Sequence, residues 1–144
     1  MNKLKIITTA MLILIFAVTL QVNAAGKEVN KGINFHQGTW NEALALAKKE
    51  NKLIFLDISA SWCGPCKMLK ANTFPNAEVG SLYNSRFINV ALDGEKGEGI
   101  ALARNYQVTA YPTLLFINGD GKVVKKTMGY HNPKEFLELG QSVK

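Results

Sequence analysis

Residues 53–67 read LIFLDISASWCGPCK, and the rest of the chain is best read outward from them. Leu53 to Ile58 is a compact apolar run whose one charged member is Asp57. Such a run is typical of a strand buried on both faces. Ser59 to Trp62 reads as a loop, and from Cys63 a helical pattern runs toward Asn72. Cys63 therefore stands where a strand gives way to a helix. A helix start leaves backbone N–H groups unpaired and carries partial positive charge. A cysteine placed there has its thiolate stabilised, and its pKa falls below that of free cysteine. Cys66 follows three residues later, less than one turn away, so the two sulfurs can close a small ring. Gly64 permits a tight helix start, and Pro65 fits the first turn, where no helical N–H is required of it. Lys67 either adds positive potential or points to solvent.

The pair predicts thiol chemistry. Cys63 attacks a substrate disulfide as a thiolate and forms a mixed disulfide. Cys66 then attacks Cys63 and releases the reduced substrate. For that step Cys66 must lose its proton while buried, and Asp57 is the candidate base. A carboxyl on an apolar strand has a raised pKa, which suits proton exchange with a thiol. Other readings of the same residues exist. A C-x-x-C is half of many zinc sites, but zinc takes about four ligands. The only histidines, His36 and His131, stand alone without matching spacing, so no metal is expected. An inert structural disulfide is a further alternative, although so small a loop gains little unfolded-state entropy. Asp57 taken alone reads as a satisfied core polar residue.

Outward from this stretch, helices and strands alternate. Ile33 to Phe35 reads as a short strand. Thr39 caps a helix with Glu42 three residues on, the capping-box spacing, and Trp40, Ala43, Leu44 and Ala47 recur at helical spacing. Asn76 or Ala77 starts a short helix reaching about Ser85. Phe87 to Leu92 is a second buried strand, Asp93 to Gly99 a glycine- and charge-rich loop, and Ile100 to Tyr106 a short helix. Thr113 to Ile117 is a third apolar strand. Asn118-Gly119-Asp120-Gly121 is a hairpin turn signal, and Lys122 to Met128 alternates as an edge strand. Asn132-Pro133 is an N-cap with proline at the first helical position, opening an amphipathic helix over 135–143. Strands separated by helices predict an α/β sheet with parallel crossovers, to which the hairpin adds an antiparallel edge.

Residues 1–24 read as an export signal. Lys3 and Lys5 precede the uncharged stretch Ile6–Leu20, and Val22-Asn23-Ala24 suits cleavage after Ala24. The alternative is an uncleaved N-terminal membrane anchor, since no charge falls between Ile6 and Gly26. Either reading puts the domain outside the cytoplasm, in the periplasm or otherwise exported, where disulfides form. Residues 25–32 are a polar, mobile lead-in, and residues 33–144 form one domain, as a chain of 144 residues allows. The formal charge is +6. Without Lys3 and Lys5 the balance is 15 basic against 11 acidic residues. The lysines are scattered and not interleaved with aromatics, so no nucleic-acid surface is indicated. Two cysteines exclude a disulfide-stapled mini-protein.

WCGPCK after a strand, with an acid six residues before the first cysteine, resembles the thioredoxin family. Thr109-Ala110-Tyr111-Pro112-Thr113 is similar to that family's cis-proline loop. The resemblance runs over about residues 33–143. The stretch Ala71-Asn72-Thr73-Phe74-Pro75-Asn76 resembles a narrower group, periplasmic thioredoxin-like proteins and the C-terminal domain of transmembrane thiol reductant carriers. The resemblance implies a thioredoxin fold, a central mixed sheet flanked by helices, with Cys63–Cys66 as a redox-active disulfide and no other cofactor. It implies that Cys63 is the exposed nucleophile, Cys66 the resolving thiol and Asp57 the acid that exchanges a proton with it. It also implies that Pro112 is cis beside the disulfide and that Tyr111 offers its backbone to an extended client strand, with Trp62, Gly64 and Pro65 completing the contact surface. Three positions depart from the cytoplasmic members. Ser59 replaces a tryptophan, Ala71 a helix-kinking proline, and Asn89 a lysine that pairs with the buried acid. Without that lysine, Asp57 is expected to stay protonated to higher pH.

The neutral Gly-Pro between the cysteines resembles the reducing branch of the family, whereas oxidants usually carry a histidine there. The two ends of that range differ by about 150 mV. The expected activity is therefore reduction of client protein disulfides outside the cytoplasm, recharged by a membrane thiol reductant carrier, from a monomer. The alternatives are a thioredoxin-fold binding module with little turnover, and a disulfide oxidant or isomerase. His36 and His131 are expected to be exposed and Trp40 to be core. Trp62 is expected at the rim of the site, its amphipathic ring giving clients a flat apolar contact.

Overall fold

The apolar runs around residues 55, 90 and 115 are rich in Ile, Val, Leu and Phe, side chains that fill a pleated, buried surface. In the computed structural model, which describes residues 32–144, they pair into one mixed sheet. Its strands are β1 (Leu53–Ser59), β2 (Phe87–Asp93), β3 (Thr113–Ile117) and β4 (Val123–Met128), in the order β2-β1-β3-β4. The helices are α1 (Trp40–Glu50), α2 (Gly64–Met68), α3 (Ala77–Arg86), α4 (Glu98–Asn105) and α5 (Pro133–Ser142). A π turn, Leu69–Thr73, continues α2. The expected export signal and the lead-in as far as residue 31 lie outside the described residues.

β1 and β2 run parallel, with Asp57 opposite Ala91. β3 runs antiparallel to β1, with Asp57 opposite Leu114, and β4 returns antiparallel to β3. Only the crossover through α2 and α3 is therefore parallel. The segment after α4 re-enters the sheet reversed, so the second expected parallel crossover is antiparallel, while the mixed sheet flanked by helices is as expected.

Side chains alternate across a strand, so β1 feeds two cores. Ile54, Leu56 and Ile58 join Ile88, Val90, Leu115 and Ile117 beneath Ala43 and Ala47 of α1 and Leu102 of α4. On the other face Phe55 joins Phe74, Tyr83, Phe116 and Phe136, packed by the π turn, α3 and α5. Tyr83 stacks on Phe136 with centroids 4.4 Å apart, and its hydroxyl donates to the Phe136 carbonyl at 2.9 Å. Burying each such ring contributes about 2–3 kcal/mol. Asp57, two residues beyond Phe55, faces the same side as α2.

The helix starts follow the sequence. Thr39 and Glu42 close a capping box on α1, and Asn132 and Glu135 close another on α5, with Pro133 in its first turn. Other expectations change. Ile33–Phe35 is not a ladder strand, because its only backbone partners lie at its ends, Ile33 N–H to Phe74 O and His36 N–H to Asn89 O, while Asn34 is held by the side chains of Asn84 and Asn89. Gly32, expected in the mobile lead-in, is buried with φ +101° against Pro75 and the backbone of Gly80. β2 is an edge strand of the sheet, buried through Val90 but exposed at Ala91. Ser59 belongs to β1 and is buried, where a loop was expected. The helix expected to run from Cys63 toward Asn72 is α-helical only to Met68, and Phe74 N–H then reaches back five residues to Leu69 O at 2.8 Å.

Candidate active site

The end of β1 and the start of α2 bring the two cysteines together. Cys63 is the N-cap of α2 in extended conformation, and Pro65 occupies the first turn. The backbone N–H of Cys66 donates to Sγ of Cys63 at 3.2 Å. The cap that a Ser or Asp oxygen usually provides is here a sulfur. The sulfurs are joined, with S–S 2.08 Å and Cα–Cα 5.3 Å.

Cys63 and Cys66 pack with Ala60 and against Tyr111, and each is only 2% exposed. The expectation of an exposed Cys63 is therefore corrected for this disulfide form, because the closed ring turns both sulfurs into the wall formed by Ala60 and Tyr111. The opening lies beside them. Gly64 and Pro65 are exposed. A Cβ at Gly64 would meet nothing within 4 Å, and the residue does not take a left-handed φ. Tight helix entry is therefore not what Gly64 provides; it leaves bare surface next to Cys63. Lys67 is exposed and points to solvent.

Asp57 is 1% exposed, and its Oδ1 has no hydrogen-bond partner. Burial raises its carboxyl pKa to about 7, while Lys70, from the π turn, pulls the other way by less. Desolvation dominates because it penalises only the charged form. The sequence pointed to Asn89 as the place where a balancing cation is lost. Asn89 is buried and turns its amide toward Asn34 O and Asn84 Oδ1, while Lys70 is the cation that Asp57 feels.

The Tyr111–Pro112 bond is cis, and Pro112 is buried. Thr113 Oγ1 donates to Ala110 O at 2.7 Å and fixes the loop ahead of it. Trp62 is 66% exposed and packs edge-on against Tyr111, centroids 6.0 Å apart. Its indole N–H donates to both carboxylate oxygens of Glu95, at 3.2 and 3.1 Å. Burial first, then the Glu95 and Asp93 carboxylates, hold the Tyr111 phenol above its usual pKa. Glu95 escaped the sequence reading, in which its segment was only a charged, glycine-rich loop.

The family profile described as a thioredoxin-like domain matches residues 40–144. The chain belongs to the thioredoxin-like family. It is a thioredoxin-like oxidoreductase with its C-x-x-C disulfide at Cys63–Cys66. Thioredoxin H1 of Arabidopsis thaliana is 35% identical over 91 residues, covering 63% of this chain and 74% of that one. The thiol:disulfide interchange protein DsbD of Pseudoalteromonas atlantica is 29% identical over 107 residues, covering 72% of this chain and 18% of that much longer one. Among solved structures, a putative disulphide-isomerase from Bacteroides thetaiotaomicron superposes with TM-score 0.68 at 43% identity, covering 79% of this chain and 97% of that one.

Trp40 is half-buried and packs on Tyr106 at 6.1 Å. His36 and His131 are half-buried, not exposed. The carbonyl of His131 accepts from Thr73 Oγ1 at 2.7 Å, which draws its segment onto the π turn. Nε2 of His36 is buried because the ring folds toward Gly38 and Glu42. Among the described residues no three His, Cys, Asp or Glu side chains gather as a metal would need. No described helix is long and apolar enough to cross a membrane.

Proposed function

We propose that this thioredoxin-like protein reduces protein disulfides outside the cytoplasm, with Cys63 as nucleophile, Cys66 as resolving thiol and Asp57 as its proton acceptor. The observation that carries the assignment is the hydrogen bond from Cys66 N–H to Cys63 Sγ at 3.2 Å. In the dithiol form the same donor, together with the helix dipole, stabilises negative charge on the Cys63 sulfur.

The step balances as follows. The Cys63 thiolate attacks one sulfur of a client disulfide, forming a mixed disulfide while the other client sulfur leaves as a thiolate. Asp57 takes the Cys66 proton, and the Cys66 thiolate attacks Cys63 Sγ. The Cys63–Cys66 bond forms and the second client sulfur leaves. Two electrons pass to the client, whose two thiolates take up one proton from Asp57 and one from solvent, and the protein ends as the disulfide. A dithiol donor must return them. The exported location inferred for residues 1–24 and the similarity to a thiol:disulfide interchange protein support a membrane thiol carrier in that role. Trp62, Gly64, Pro65, Tyr111 and Pro112 form the client contact in this reading, around the exposed ring of Trp62.

Cys66→Ser, expressed with its leader, tests the reading. It should accumulate exported clients joined to Cys63 by bonds that dithiothreitol cleaves. Partners retained regardless of reductant would mark a binding module instead. The potential of the wild-type pair against glutathione should fall near the reducing end of the family range, about −270 mV. A value near −120 mV would reverse the direction of electron flow. The relative described as a putative disulphide-isomerase makes scrambled ribonuclease a useful third substrate. A reductant leaves it reduced, whereas an isomerase restores its activity.

A further inference from the structure

The segment from the last residue of β2 to the first of α4 packs against Ser59 and Trp62, and its three acids, Asp93, Glu95 and Glu98, have different fates. Asp93 Oδ2 pairs with Lys96 at 3.5 Å, and its Oδ1 accepts from Glu95 N–H at 2.9 Å. Glu98 accepts from Trp40 N–H at the start of α1, at 3.1 Å. Glu95 has no cation partner among the described residues and is turned toward the site, holding the Trp62 indole N–H. The loop is fixed by Gly94 N–H donating to Ser59 O at 2.8 Å, three residues before Trp62. Gly94 admits this approach because a Cβ there would lie 2.7 Å from the Tyr111 hydroxyl. Lys67 and Lys70, one and four residues after Cys66, are exposed and form no ion pair among the described residues.

We propose that Glu95 is a specificity-determining residue. It seats the Trp62 ring at the rim and leaves a negative charge there, so that client disulfides flanked by Lys or Arg react faster than those flanked by Asp or Glu. The proposal rests on the thiol–disulfide reading above. The indole is otherwise held by one edge contact with Tyr111, so the charge-assisted hydrogen bond decides where it sits. A charge of either sign on a client about 6 Å from the carboxylate, in a water-like medium, changes the encounter free energy enough for about a threefold rate effect. Between a basic and an acidic client the two effects compound to about tenfold, and salt screens both.

The test uses the reduced protein with symmetric disulfides of three tripeptides, carrying lysine, serine or glutamate before the cysteine, at low and high salt. The reduced protein is used in excess with no other reductant, so that a single turnover oxidises the Cys63–Cys66 dithiol and yields two peptide thiols. At low salt the lysine peptide should react about tenfold faster than the glutamate peptide, and the ratio should shrink at high salt. Glu95→Gln keeps an oxygen for the indole but removes the charge, and should bring the lysine-to-glutamate ratio down to one or below it, since Lys67 and Lys70 then stand unopposed. Glu138→Gln, an exposed change on α5 away from the site, should keep the wild-type ratio. Glu95→Ala should both lower the ratio and shift Trp62 emission. A ratio equal in wild type and Glu95→Gln, with the serine peptide still reduced, overturns the proposal and leaves the thiol–disulfide reading standing. Failure of wild type to reduce any of the three overturns that reading instead.

Discussion

The amide of Cys66 and the sulfur of Cys63 are 3.2 Å apart, donor to acceptor, across the first turn of α2. This contact makes the two cysteines chemically unequal. Cys63 receives the N–H and the helix dipole at the N-cap, whereas Cys66 lies inside the first turn and donates that N–H, both sulfurs being buried in this disulfide form. Cys63→Ser should therefore abolish reaction with disulfides. Cys66→Ser should keep the first attack but stall at the mixed disulfide, visible by mass spectrometry as a one-to-one adduct with a small disulfide. Adducts forming equally well in the Cys63→Ser protein would reverse the assignment.

Asp57 predicts a pH dependence whose sign is fixed by the direction of its shift. Its pKa rises from 3.8 to about 7 in the folded disulfide form. Between those values the folded state binds the proton and the unfolded state does not, so stability falls as pH rises through this window. The cost above pH 7 is at most about 4 kcal/mol, from about three units at about 1.4 kcal/mol each. Asp57→Asn removes it. In urea melts of the oxidised protein the variant should match wild type near pH 4 and exceed it progressively toward pH 7.5. A constant difference across that range would contradict the shift. The same variant should slow the release of a mixed disulfide near neutral pH, because Cys66 loses its proton acceptor.

Gly80 lets α3 touch the incoming chain. A Cβ at this position would collide with the carbonyl of Gly32, which is backbone and held by Asn84 Nδ2 at 3.0 Å. Gly80→Ala should cost about 1–3 kcal/mol, the usual range for overpacking. The denaturation midpoint should fall at constant slope. An unchanged midpoint would mean that Gly32 is not seated there in solution.

Trp62 adjoins the disulfide, and Trp40 lies on the opposite face of the sheet against Tyr106. Reduction should raise tryptophan emission, and Trp62→Phe should remove the redox-dependent part and leave the contribution of Trp40. A redox difference that survives Trp62→Phe would place the quenched indole elsewhere.

Much of this arrangement was legible before any coordinates, for physical reasons. The strand LIFLDI, the caps at Thr39 and Asn132 and the hairpin turn at Asn118–Gly121 are local signals, and each element formed where its residues required. Asp57 was readable as a raised-pKa group because a lone acid in an apolar run must be buried. Less was legible where distant segments decide the outcome. Ile33–Phe35 alternates like a strand but finds only two backbone partners, at its ends. The reversal of β3 depends on the path after α4, and the π turn on contacts of Thr73 with the segment at His131. Glu95 became visible as part of the site only when its loop folded against β1. The burial of Cys63 likewise comes from Ala60 and Tyr111, far apart in sequence.

The most direct test of the account is the rate of iodoacetamide alkylation of Cys63 in the reduced protein, followed from pH 4 to 10 by mass spectrometry of the 63–66 peptide. Cys63 should show a half-rise at least about one pH unit below the value of about 8.5 for free cysteine, with Cys66 reacting more slowly throughout. A Cys63 profile that rises only near 8.5, or a Cys66 that reacts first, would contradict it.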